Sequence, residues 1–174
     1  MKTIALIGCM LIAMTTQAQD AISRFYEKYE NDQTFTNVTI TSRMFSLFTD
    51  LEIESQEDQE ILDAISKLKG LKILAKEETA DGRLMFKEAL SMLPKGEFDE
   101  LMSVREEGRE MKFMIKEQGK IINELVMIAG GDKEFFILSV FGEIDLKQIA
   151  KISKAMDIDG LDQLKKLDKT DNNN

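Results

Sequence analysis

The sequence contains no histidine and no tryptophan, a single cysteine (Cys9), a single proline (Pro94) and two tyrosines, Tyr26 and Tyr29. Each shortage removes a class of chemistry. Without histidine, and with one cysteine, there is no Ser-His-Asp or Cys-His nucleophilic site. The usual zinc, copper and haem ligand sets are missing too. One cysteine cannot close a disulfide within the chain, so the apolar core has to hold the fold alone, which 174 residues allow. Basic residues are also short: 23 Lys and Arg face 32 Asp and Glu, a formal net charge of −9. That sign is wrong for neutralising phosphates, and no basic stripe with interleaved aromatics is present. Neither nucleic-acid binding nor docking on an anionic membrane is expected.

The apolar start of the chain reads as an address. Met1-Lys2 is a short basic region, Thr3 to Met14 is an apolar run of signal-peptide length, and Thr16-Gln17-Ala18 puts small residues where a signal peptidase reads. Residues 1–18 are therefore expected to be a signal peptide cleaved after Ala18, giving a periplasmic or secreted chain that begins at Gln19. The run is shorter than the about 20 residues that a membrane-spanning helix needs, and no transmembrane segment is expected in the mature chain. Leu6-Ile7-Gly8-Cys9 matches a lipobox, but Cys9 sits in the middle of the apolar run, whereas a lipobox ends it. Lipid anchoring through Cys9 is not expected.

Residues 19–168 read as one α+β domain, followed by a disordered tail over 169–174. The centre is the stretch from Phe98 to Gly142, with Gly108, Gly119 and Gly130-Gly131 about every eleven residues, the spacing of consecutive hairpins. The runs Phe98–Arg105, Met111–Glu117, Lys120–Ile128 and Glu134–Phe141 predict a four-stranded antiparallel meander. In the second run Met111, Phe113 and Ile115 alternate with Lys112 and Lys116, so one face meets water. The third and fourth runs are almost continuously apolar, which predicts burial on both faces.

Before the meander, Ile22, Phe25, Tyr26 and Tyr29 mark an amphipathic helix with Asp20 as its N-cap. Phe35–Ile40 and Leu71–Ala75 predict two short strands of a smaller β layer. A helix carrying Met44, Phe45, Leu47, Phe48 and Leu51 is expected after Thr41 or Ser42. Another starts at Ser55 and ends at Gly70, a C-terminal cap, with Ile61, Leu62, Ile65 and Leu68 buried. Met85, Phe86, Ala89, Leu90 and Leu93 define a helix over Arg83–Leu93, stopped by Pro94. Asp145 is expected to cap a C-terminal helix packed on the sheet through Leu146, Ile149, Ile152 and Met156.

Three stretches carry a resemblance: Phe35-Thr-Asn-Val-Thr-Ile-Thr-Ser-Arg-Met-Phe45, Leu68-Lys-Gly-Leu-Lys-Ile-Leu74, and Gly119-Lys-Ile-Ile-Asn-Glu-Leu-Val126 onward to Gly142-Glu-Ile-Asp-Leu-Lys-Gln-Ile149. Together they resemble the domain-of-unknown-function 4252 family, DUF4252, exported proteins of Gram-negative envelopes, from about Phe25 to Met156. The resemblance implies export and a single domain. It brings no established activity, cofactor or catalytic residue.

The residues themselves single out no site. Paired carboxylates can run a glycosidase, but the acids of Glu52–Glu60, Glu77–Asp81 and Glu97–Glu100 fall on helix starts and loops and read as a solvated surface. Asp157-Ile158-Asp159-Gly160 echoes part of a calcium loop, yet Ala155 breaks the EF-hand pattern. Methionines unaccompanied by other ligands are packing residues. No catalytic, cofactor-binding or metal residue is assigned, and no cofactor. The expectation is a non-enzymatic interaction or regulatory domain of the cell envelope, binding an envelope protein through a bare face of the sheet or the aromatic stripe of the first helix. Its oligomeric state is not read from the sequence. The alternatives are a carrier of a small apolar ligand held between sheet and helices, and a hydrolase of an unrecognised kind.

Overall fold

The computed structural model describes residues 22–47 and 55–147. Along the chain run helix α1 (Ser23–Tyr29), strand β1 (Thr36–Thr41), helices α2 (Ser42–Ser46) and α3 (Gln56–Ser66), strand β2 (Leu68–Glu77), helix α4 (Gly82–Met92) and strands β3 (Asp99–Glu106), β4 (Arg109–Gln118), β5 (Ile121–Gly131) and β6 (Glu134–Ile144). All six strands belong to one sheet in the order β1-β2-β6-β5-β4-β3, and every pairing is antiparallel.

This arrangement overturns the expected fold class. Among the described residues the sheet is not a four-stranded meander beside a separate small β layer. The two early strands extend the same sheet along the edge of β6. The reason is visible in β6, which is apolar on both faces from Phe135 to Val140 and buried almost throughout, so a second neighbouring strand shields its backbone as well as its side chains. β2 meets that need over ten residues, twice the length of its apolar run, because Leu68 before the run and Lys76 and Glu77 after it also pair with β6. Of the helix expected from Asp145, Leu146 and Lys147 are among the described residues, and the Lys147 N–H donates to Asp145 Oδ1 at 2.9 Å; its remainder lies outside them, as do residues 1–18 and 169–174.

Other local expectations also change. Gly70 is not a helix cap. Helix α3 ends at Ser66 with Lys67 as its C-cap, and Gly70 lies in β2 under the ring of Phe141, where a Cβ would come within 2.3 Å of Cζ. Gly130-Gly131 does not make a hairpin turn either: both close β5, and the chain reverses over Asp132 and Lys133. Gly108 and Gly119 do sit at turns, with φ of 77° and 71°, the left-handed region that glycine enters freely. The first helix is capped by Ile22 with no side-chain bond; Asp20 lies outside the described residues.

Two cores lie on opposite faces of the sheet. On one face Met111, Phe113, Ile115, Leu125, Met127, Leu138 and Val140 pack together, with Phe45 of α2 against them. On the other, Val126, Ile128, Phe135, Ile137 and Leu74 meet α1 through Phe25 and Tyr26 and α4 through Met85, Phe86 and Ala89. β4 buries Met111, Phe113 and Ile115 and turns Lys112 and Lys116 the other way, as strand alternation requires.

Candidate functional site

The surfaces named from the sequence as binding faces are not available. The second face of the sheet is filled: Phe113, Leu125 and Leu138 are fully buried, and Met127 is 1% exposed. The aromatic stripe of α1 is interior as well, with the ring of Phe25 4.8 Å from Tyr29 and 5.2 Å from Phe135. Lys72 Nζ of β2 lies 5.4 Å from the centre of the Tyr26 ring, a cation–π contact with the stripe, and Lys76 Nζ lies 5.0 Å from that of Phe35, whose ring is 4.7 Å from Tyr29.

The acidic runs separate in space. Glu97 and Glu100 pair with Lys116 and Lys112 across β3 and β4, and Glu60, Glu77, Glu78 and Asp81 are exposed. Glu52 to Glu54 and Asp157 to Gly160 lie outside the described residues. Among the described residues no group of three or more His, Cys, Asp or Glu stands ready for a metal ion.

One buried carboxyl went unnoticed in the sequence. Glu124, 4% exposed on β5, accepts a hydrogen bond at 2.8 Å from the hydroxyl of Ser139, which is fully buried on β6. Lys72 lies directly across from Ser139 on β2, and its Nζ is 3.5 Å from Ser23 Oγ of α1. The available signal was an acid beside the apolar run Leu125 to Ile128, on a strand buried on both faces. A serine, a lysine and a carboxyl suggest a hydrolytic set, but a nucleophile needs a substrate within reach, and Ser139 has no accessible surface. The pair instead satisfies two polar groups where β5 and β6 meet.

An open depression of about 590 Å³ lies beside α2, lined by Ser42, Arg43, Ser46, Ser66 and Leu68. It is open to solvent, whereas a carrier of apolar molecules needs a concave pocket that buries most of its ligand.

The two edges of the sheet differ sharply. β3 carries Asp99, Glu100, Arg105 and Glu106 and a register shift between Glu100 and Met102; charges and bulges are the usual means of keeping an edge from pairing. β1, Thr36-Asn-Val-Thr-Ile-Thr41, has neither. It holds no charge, no proline and no register shift, and five of its six side chains are exposed. It carries one exposed large apolar side chain, Val38 at 37%, and two more follow it, Met44 at 46% and Leu47 at 57%. Its outer row of backbone donors and acceptors faces away from β2, at the end of the sheet.

The chain matches the family described as Domain of unknown function (DUF4252) over residues 29–152, and it belongs to that family. No curated protein and no solved structure matches it. Among the described residues no helix is long and apolar enough to cross a membrane.

Proposed function

We propose that this DUF4252 chain is a non-enzymatic interaction domain of the cell envelope, exported by residues 1–18, which takes up an extended segment of a partner chain along β1. The observation that carries this reading is the contrast between the two edges: β3 is guarded by charge and a bulge, and β1 is left open. Strand addition draws its affinity from main-chain hydrogen bonds and its selectivity from alternate side chains. The absent histidine and the inaccessible Ser139 support a role without catalysis.

The test is site-specific photo-crosslinking in cells, with the reactive group placed at Thr39 on β1 or at Ser103 on β3, both exposed. A defined adduct at Thr39, absent at Ser103 and lost when Asn37 is changed to Lys, is the expected outcome. Equal labelling at both edges, or none at Thr39, rejects the docking edge. Export is checked separately by the intact mass of the protein from the envelope fraction. A chain starting at Gln19 is expected; an uncleaved chain, or a lipid on Cys9, overturns that part.

A further inference from the structure

We infer that the segment added at β1 is the β1 strand of a second copy of this chain, paired antiparallel across a twofold axis normal to the sheet. The inference rests on the strand-addition reading and names its partner. Two copies joined this way keep corresponding faces on the same side, so each β1 residue meets a residue of its own face. Val38 and Ile40 share a face with Ile73 and Leu71, their partners on β2; Asn37, Thr39 and Thr41 share the other with Leu74, Lys72 and Gly70. With Thr39 on the axis, Val38 of each copy pairs with Ile40 of the other, Asn37 pairs with Thr41, and Thr39 pairs with itself. Every apolar side chain then meets an apolar one and every polar side chain a polar one, the pairings that stabilise neighbouring strands. The adjacent register, with Val38 on the axis, sets Thr36 against Ile40 and loses that match.

Charge favours the same occupant. The chain carries a net charge of −9, so two copies repel over most orientations. β1 is the charge-free stretch. Glu30 and Asp32 precede it and Arg43 follows it, so antiparallel pairing sets the acidic approach of each strand toward the basic end of the other. α2, which packs Phe45 into the core on the Val38 side, brings the exposed Met44 and Leu47 of both copies to flank the axis.

Sedimentation velocity of the purified chain tests the inference with Thr39→Glu and Thr39→Lys, measured singly and as an equal mixture. Circular dichroism and thermal melting show that each variant is folded. The wild type is expected at twice the chain mass, each variant at the single-chain mass because like charges oppose each other on the axis, and the mixture back at twice. A wild type of single-chain mass at every concentration, or variants that stay paired, overturns the second copy. If the wild type is monomeric while the Thr39 crosslink to a different envelope protein persists and is lost in Asn37→Lys, the second copy falls and strand addition stands. If no adduct forms at β1 at all, both fall.

Discussion

Gly82 brings the start of α4 against the backbone of the sheet. A Cβ at this position would lie 2.0 Å from the carbonyl oxygen of Glu134 and 2.4 Å from that of Gly131, and one at Gly130 would lie 2.5 Å from the Gly82 oxygen. These are main-chain atoms that cannot swing aside, so a methyl group has to lift the helix. Gly82→Ala is expected to lower the unfolding free energy by about 3 kcal/mol, the upper range for overpacking, as read from urea denaturation. A loss below about 0.5 kcal/mol, the scatter of ordinary surface changes, would reject the close-approach account. The same corner carries an exposed ion pair, Arg83 with Asp132. The hydrogen bond from Arg83 and its charge hold the Asp132 carboxyl below its usual range. The Asp32 carboxyl is held low by the hydroxyl and then the backbone N–H of Thr34, at 2.7 and 2.9 Å. Both groups therefore bind protons less readily in the folded chain. Their contribution is complete above the ordinary carboxylate value, near 4, and is lost as the pH falls through the lowered folded values. Asp132→Asn and Asp32→Asn should each flatten the acid limb of a stability-against-pH curve. For Asp132 the difference should shrink in high salt, because the pair is exposed; an unchanged acid limb would show that the pair contributes nothing.

Strand by strand, position in the sheet predicts protection. β5 and β6 have hydrogen-bonded neighbours on both sides and buried side chains along most of their length, while among the described residues β1 and β3 each lack a neighbour on one side. Hydrogen exchange by mass spectrometry should find β5 and β6 slowest, opening only with global unfolding, and β3 fast. β1 is the informative strand: its outward amides should be fast at low concentration and slow once the edge is paired. Six extended runs were legible in the sequence because alternation in Met111–Glu117 and unbroken apolarity in Leu125–Ile128 and Phe135–Val140 are local signals. Their assembly was not. Nothing within Leu71–Ala75 says that its neighbour is β6, since that choice depends on the exposed backbone of a strand some sixty residues away in the chain. The glycines misled for a related reason. A glycine near a helix end or between strands signals a turn, but Gly70, Gly130 and Gly131 answer to atoms distant in sequence: the Phe141 ring, the Gly82 carbonyl and the Gly108 carbonyl. Of the candidate edge, the β propensity of Thr36–Thr41 was readable and its place at the end of the sheet was not. Glu124 stood out in its run only once the strand was known to be buried on both sides.

At the scale of the whole molecule, one sheet serves two cores, and this decides how it unfolds. β5 sends Leu125, Met127 and Ala129 to one core and Val126 and Ile128 to the other. Neither core can come apart without exposing a strand that the other needs, so the two should melt together as one transition. Phe113→Leu loosens the first core and Phe86→Leu, on α4, the second. Both rings are buried, and each change should cost roughly 1 kcal/mol as a near-volume-conserving swap. Since the substituted side chains lie on opposite faces of the sheet and share no packing partner, the double variant should lose the sum to within about 0.5 kcal/mol. Its urea transition should stay single, with the same midpoint by circular dichroism, which follows the sheet, and by tyrosine fluorescence, which follows α1. If Phe86→Leu shifted the fluorescence midpoint alone, the helical layer would be separating from an intact sheet. The cation–π contact of Lys72 with Tyr26 would then be too weak to hold α1 to the sheet, and the case for a single cooperative unit would fail.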